Sequence, residues 1–277
     1  TMNKVQFPGL YIGYATEPHA ILPYLCRSGY YCLILTDSLA GACAKFGRLH
    51  CDYCDGTLIG YRPDTVCVEI PASCLWTVAF HPDLFNGKIL EKTIEEYTFF
   101  SYALKEALHV SMKEKRILSS CVDDIRRELH HGTDSYKRTI LTRHITRLLD
   151  YATRFYERQF IVRELNNEQL IQQYEKLVRQ YIDEGKLTQE PLTSAYCAGQ
   201  LHLSEAYFND LLELQLGHKH NCHIQLQRIE IAKERLRSSG ESISQIVLEL
   251  GFPSVQYFSF LFKKITGIAP DSYRLLN

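Results

Sequence analysis

The chain has 277 residues, 45% hydrophobic and 23% charged, with a formal net charge of −1. Such values fit a globular protein of about two domains; they exclude a polycation, and no apolar run approaches the roughly 20 residues that span a bilayer. The opening "TMNKVQFPGLYIGY" lacks a charged start followed by a long apolar core, so the expected compartment is the cytoplasm, with no membrane partner, and the ten cysteines are expected as reduced thiols.

Residues 1–87 read as a small β domain. "YYCLILT", "GTLIGY" and "TVCVEI" are short, rich in β-branched and aromatic residues, and separated by turn-like "CDGT" and "RPDT". Short strands at this spacing predict a sandwich or barrel. Cysteines crowd this region at Cys26, Cys32, Cys43, Cys51, Cys54, Cys67 and Cys74. "HCDYC" (50–54) has the composition of a zinc clip or a redox centre. An extended strand there puts Cys51 and Tyr53 on one face and His50, Asp52 and Cys54 on the other, which splits the pair. Half-buried strand thiols are the plainer reading; thiol or metal sensing stays open beside it. Histidines 19, 50 and 81 stand alone, and no nucleophile–base pair or Gly-rich phosphate loop is visible. No enzyme activity, metal or cofactor is therefore expected.

After "HPDLFNG" (81–87) the apolar period becomes helical, and residues 88–186 read as a helical linker. One predicted helix buries Ile117, Leu118, Cys121, Ile125 and Leu129. A second, capped by Asp134 or Ser135, carries the stripe Ile140, Leu141, Ile145, Leu148, Leu149 and Ala152. That stripe faces either a partner copy, through Leu141, Ile145, Leu148 and Leu149, or this chain's own core. A third helix turns Leu170, Tyr174, Leu177, Val178 and Tyr181 inward and ends at Gly185. The polar "KLTQEP" (186–191) is the expected boundary of a C-terminal domain, 187–277.

This last domain contains a loose repeat. "LHLSEAYFNDLLELQLG" (201–217) parallels "LGFPSVQYFSFLFKKITG" (250–267): a turn, a serine, an aromatic pair, a leucine at the same offset and a closing glycine. Each copy follows a short apolar helix, which is the layout of two helix-turn-helix units. In "SISQIVLELGFPSVQYFSFLFKKITGIAPDSYR" (242–274), Ile243, Ile246, Gly251-Phe252, Tyr257-Phe258, Phe262-Lys263-Lys264, Gly267, Pro270 and Tyr273-Arg274 fall at the spacing of one family. The segment resembles the signature of the AraC/XylS transcription regulators, and residues 224–236 resemble the helix linking their two units.

The resemblance implies an α+β protein: an N-terminal cupin-like β-sandwich or barrel, a helical dimerisation region, and an all-α C-terminal domain with two helix-turn-helix units. It implies a bacterial regulator, an activator in most relatives, with promoter DNA, a small-molecule effector, RNA polymerase and a second copy of itself as partners. Phe258, Leu261 and Phe262 form the core face of the second recognition helix. Ser254, Val255, Gln256, Ser259 and Phe260 are left outward; Gln256 suits adenine, and Val255 or Phe260 suits a thymine methyl. Lys263, Lys264 and Arg274 suit phosphates. Ala206, Tyr207 and Asn209 are the candidates in the first unit, with Lys219 and Arg228 on the DNA face. The effector candidates are His19, Tyr30, His50, Tyr61, Arg62 and Trp76.

Two features depart from the pattern. Lys and Arg equal Asp and Glu in number across 186–277, whereas a DNA reader shows a basic footprint. Asp210, Glu213 and Leu214 also stand where relatives usually carry basic residues. Segregated charge or dimerisation reconciles this with DNA binding; a non-DNA adaptor with a degenerate helix-turn-helix is the rival. "HKHNCH" (218–223) offers His218, His220, Cys222 and His223 as metal ligands, but it also opens a helix, where phosphate is the more natural ligand.

Overall fold

Strand β2 (Tyr31–Asp37) is apolar at consecutive positions, not alternate ones, because both of its faces are covered. It lies at the centre of a five-stranded antiparallel sheet in the order β1-β4-β2-β3-β5, with β1 Leu10–Ala15, β3 Gly56–Tyr61, β4 Cys74–Phe80 and β5 Leu108–Val110. The computed structural model describes residues 7–15, 18–37, 46–65, 74–85, 94–132 and 134–275; the side chains of 15 and 18–20 lie outside that description. The predicted strand 65–70, Cys43, Cys67 and the 87/88 boundary fall largely or wholly outside it as well. The chain divides into two compact units, 1–164 and 165–277, each described by itself.

In the first unit, one sheet face presents Leu33, Leu35, Trp76, Val78, Phe80 and Leu108. Helices α2 (Met112–His130) and α3 (Lys137–Val162) cover this face with Leu118, Cys121, Ile125, Leu141, Ile145, Leu148 and Leu149. The opposite face presents Cys32, Ile34, Ile59 and Tyr61 against Leu22, Leu25 and Cys26 of α1 (Pro18–Arg27). The α+β class stands. Among the described residues, the layers that cover the two sheet faces are helical. Helix α1 lies within the region read as a β domain and accommodates Pro23 inside it.

The α3 stripe is consumed here. Leu141, Ile145 and Leu148 have no exposed surface and Leu149 has 1%. Of the two readings of this stripe, packing into this chain's own core is the one the structure shows. Asp134 caps α3 as expected, its Oδ1 accepting from the backbone N–H groups of Tyr136 and Lys137.

Side chains of α3 also finish the outer edge of β5. Gln159 accepts from the His109 N–H (2.8 Å) and donates to the Ala107 carbonyl (3.0 Å), and Arg158 donates to the His109 carbonyl (2.8 Å). A buried strand edge must have its backbone groups satisfied, and here an amide side chain stands in for the missing strand.

"HCDYC" is a turn, not a strand. The Asp52 carboxylate accepts from the Leu49 N–H (2.7 Å) and takes a two-pronged grip from Arg163, Nε at 3.0 Å and the terminal nitrogen at 2.6 Å. Both partners are buried, the Asp52 side chain fully. Cys51 is half-buried and Cys54 exposed. The residue that matters structurally in this motif is its aspartate.

The second unit is all helical: α4 (Glu164–Asp183), α5 (Ser194–Gln200), α6 (Glu205–Leu216), α7 (His220–Ser238), α8 (Ile243–Glu249), α9 (Val255–Thr266) and α10 (Pro270–Leu275). Its core joins Tyr174 and Val178 of α4 to Phe208, Leu212, Ile229, Ala232, Ile246, Phe258 and Phe262. Gly185 follows α4 with φ +67°, in the left-handed conformation expected of it.

Candidate nucleic-acid interface

Two short helices, α5 and α8, each run into a tight turn and then a longer helix. Each turn closes in the same way. The Leu203 N–H donates to the Ala198 carbonyl (2.8 Å) and the Phe252 N–H to the Val247 carbonyl (3.0 Å), each around a left-handed residue, His202 (φ +56°) or Gly251 (φ +69°). This is the Schellman arrangement, which ends one helix and re-aims the chain. Ser204 and Ser254 then cap α6 and α9, their hydroxyl oxygens accepting from the N–H groups of Tyr207 (3.3 Å) and Tyr257 (3.1 Å). Gly217 and Gly267, both left-handed, end those helices.

The face of α9 turned away from the core carries Gln256, Phe260, Lys263 and Lys264, all exposed and spaced at helical intervals. Phe260 is 67% exposed. No residue of α9 is acidic. The matching positions of α6 are Ala206, Asp210, Glu213 and Leu214, so the two helices present stripes of opposite charge. Ser259 is half-buried, as are Ala206 and Asn209, and Val255 leans into the core. Ser254 spends its acceptor on the cap. Tyr257 is 43% exposed.

Other expected DNA contacts prove to be internal. Tyr207 is 2% exposed and belongs to the core side of α6. Arg228 is buried: its Nε donates to the Leu250 carbonyl (2.7 Å), and its guanidinium lies 4.0 Å from the Phe252 ring centre. Burial lowers it to about 10. Both residues are removed from the DNA face by packing. Arg274 donates to the Glu241 carbonyl (2.6 Å), bracing α10 against the segment before α8. Arg235 pairs with Glu249 (2.6 Å) and Arg179 with Glu234 (2.7 Å). Lys219, Lys263 and Lys264 remain exposed.

"HKHNCH" also divides. His220 donates through Nε2 to the Leu192 carbonyl (2.8 Å), which leaves Nδ1 to accept from the Tyr174 hydroxyl (2.9 Å). His223 is buried beside Tyr174 and His218, and burial, reinforced by His218 and His220, lowers it to about 4. Cys222 points out to solvent. Among the described residues, no group of three or more His, Cys, Asp or Glu side chains is placed to hold a metal ion.

The effector candidates do not converge. Trp76 is buried on the α2/α3 side, its indole N–H donating to the Ser119 hydroxyl (3.1 Å). Tyr61 is buried on the α1 side, with Tyr30 packed at the margin of the same cluster and edge-on to His81. His50 and Arg62 are exposed, and the His19 side chain lies outside the described residues.

Residues 197–275 match the family described as a helix-turn-helix domain. Over 87 residues the chain is 33% identical to the uncharacterized HTH-type transcriptional regulator YfiF of Bacillus subtilis (strain 168), covering 31% of this chain and 27% of that protein. It is 34% identical over 77 residues to the regulatory protein PocR of Salmonella typhimurium (strain LT2), covering 28% and 25%. The chain thus spans about a quarter of the length of these curated relatives. The C-terminal domain of AraT, a response regulator from Geobacillus stearothermophilus, is 31% identical, covering 38% of this chain and 85% of that one, with a TM-score of 0.32. Turn geometry, caps and sequence together make the C-terminal segment a double helix-turn-helix domain.

Proposed function

We propose that this chain is a sequence-specific DNA-binding transcription regulator whose N-terminal unit receives the signal. The observation that carries the reading is α9: an exposed stripe of Gln256, Phe260, Lys263 and Lys264, free of acid, rigidly presented by a helix-turn-helix turn. A recognition helix of this size fits the major groove, with its first turns at base edges and its cationic end at phosphates. The curated relatives are regulators rather than enzymes, which fits this reading.

Genome-wide footprinting of the tagged protein tests the proposal. Discrete bound promoters are expected. Reversing Lys263 and Lys264 to Glu should abolish that binding, while Asp210→Ala leaves it equal or tighter. Loss of binding in Asp210→Ala as large as in the Lys reversal would sink the assignment of α9 as the principal reader.

Activation of transcription, contact with RNA polymerase and action as a homodimer complete the reading; the AraC resemblance supports them. An effector bound on the α1 side of the sheet is favoured by Tyr30 and Tyr61, the two candidates that share a cluster. A thiol signal is the second reading. It is favoured by Cys26 and Cys32, whose sulfurs lie 3.8 Å apart. A hydroperoxide would oxidise the two thiols to a disulfide and be reduced to alcohol and water. Mass spectrometry of peroxide-treated protein would show loss of two hydrogens across this pair; unchanged thiols would remove this reading.

A further inference from the structure

We infer that α9 reads A·T base pairs, with Gln256 on an adenine and Phe260 on a neighbouring thymine methyl. The inference rests on the DNA-binding reading above. Three observations carry it.

The first is the identity of the groups in reach. A recognition helix contacts bases mainly through its N-terminal residues. In α9 these are Gln256, then Phe260 one turn later on the same face. A glutamine amide matches the N7 acceptor and N6 donor of adenine, and an aromatic ring matches the C5 methyl of thymine.

The second is what α9 lacks. The helix contains no arginine, the usual bidentate partner of guanine. Its two lysines stand in the last turn, where the helix end meets the backbone. Arg228, the one guanidinium of α7 expected on this face, is held inside by the Leu250 carbonyl and Phe252.

The third is the exposure of Phe260. A phenylalanine 67% exposed at the middle of a helix contributes little to this fold. With Tyr257 beside it, 43% exposed, it gives the outer face an apolar centre flanked by the amide of Gln256 and the two lysines. Contiguous exposed apolar surface rimmed by polar groups marks a contact site, and thymine methyls are the apolar feature of the major groove.

The test begins with selection of bound sequences from random duplexes by the full chain. An enriched half-site with adjacent A·T pairs is expected. Replacing the contacted thymine by deoxyuridine removes only its methyl. It should weaken the wild-type protein about fourfold, the worth of one buried methyl, and leave Phe260→Ala indifferent to the change. Replacing the contacted adenine by purine, which lacks the N6 amino group, should weaken the wild type by roughly 5- to 150-fold and affect Gln256→Ala much less. G·C pairs at these positions, or thymine and deoxyuridine bound equally by the wild type, would overturn the inference while leaving DNA binding intact. Failure to enrich any sequence would instead overturn the DNA-binding reading on which it stands.

Discussion

Arg228 separates two uses of a positive charge. In sequence it is one more basic residue of a DNA-binding domain; in the fold it is a strut, with its charge on a backbone carbonyl and its plane on an aromatic ring. Arg228→Ala is expected to lower stability by about 2–4 kcal/mol, by stranding the Leu250 carbonyl and emptying the space beside Phe252. In DNA titrations the salt slope should stay unchanged. Lys263→Ala should do the reverse, leaving stability intact and reducing that slope by about one. Urea melts and binding at several salt concentrations check both. Gly251 is a second residue whose identity is enforced. At φ +69° an added Cβ would lie 3.1 Å from the Leu187 carbonyl oxygen. Gly251→Ala should therefore cost about 1–2 kcal/mol, read as a lower urea midpoint.

Gln159 shows what a helix can do for a sheet. β5 is only three residues long, and α3 supplies the partners that a sixth strand would have given. Gln159→Leu keeps the volume but leaves the His109 N–H and the Ala107 carbonyl buried and unpaired. The expected loss is about 2–4 kcal/mol, confined to unfolding of the first unit; a melt unchanged within error would contradict the edge-capping role. Elements differ in how far they could be foreseen. The two helix-turn-helix units were legible because their signals are local: serine caps, left-handed turn residues and a closing glycine within 18 residues. Tyr207 and Tyr257 were not, since both open the same aromatic pair and only tertiary packing buries one and exposes the other. Helix α1 was hidden by its internal proline. The grip on Asp52 depends on an arginine 111 residues away, which no local pattern reveals.

At the scale of the molecule, each unit holds a buried histidine kept neutral. Burial pushes His109 down to about 4, with Asp52 opposing and Arg163 reinforcing the shift; His223 reaches about 4 as well. An exposed histidine titrates near 6.5. As the pH falls from about 6.5 towards 4, the unfolded chain therefore takes up protons that the folded chain refuses, and stability falls over that window. Above pH 7 these two residues contribute no pH dependence. Urea midpoints at pH 7.5, 6.0 and 5.0 should decline in the acid range for both units; His223→Phe should reduce the decline for the second unit alone, the remainder coming from His220, which burial also lowers.

The Asp52–Arg163 pair also bears on how the protein can be cut. Arg163 lies one residue beyond α3, and the division between the units follows Glu164. A fragment ending at 164 retains the guanidinium that neutralises a fully buried carboxylate. A fragment ending at 162 has the same sheet and the same helices α1 to α3, yet leaves that carboxylate without the Arg163 guanidinium. Two residues of tail thus separate a fragment expected to be obtained folded from one expected to be recovered as aggregate.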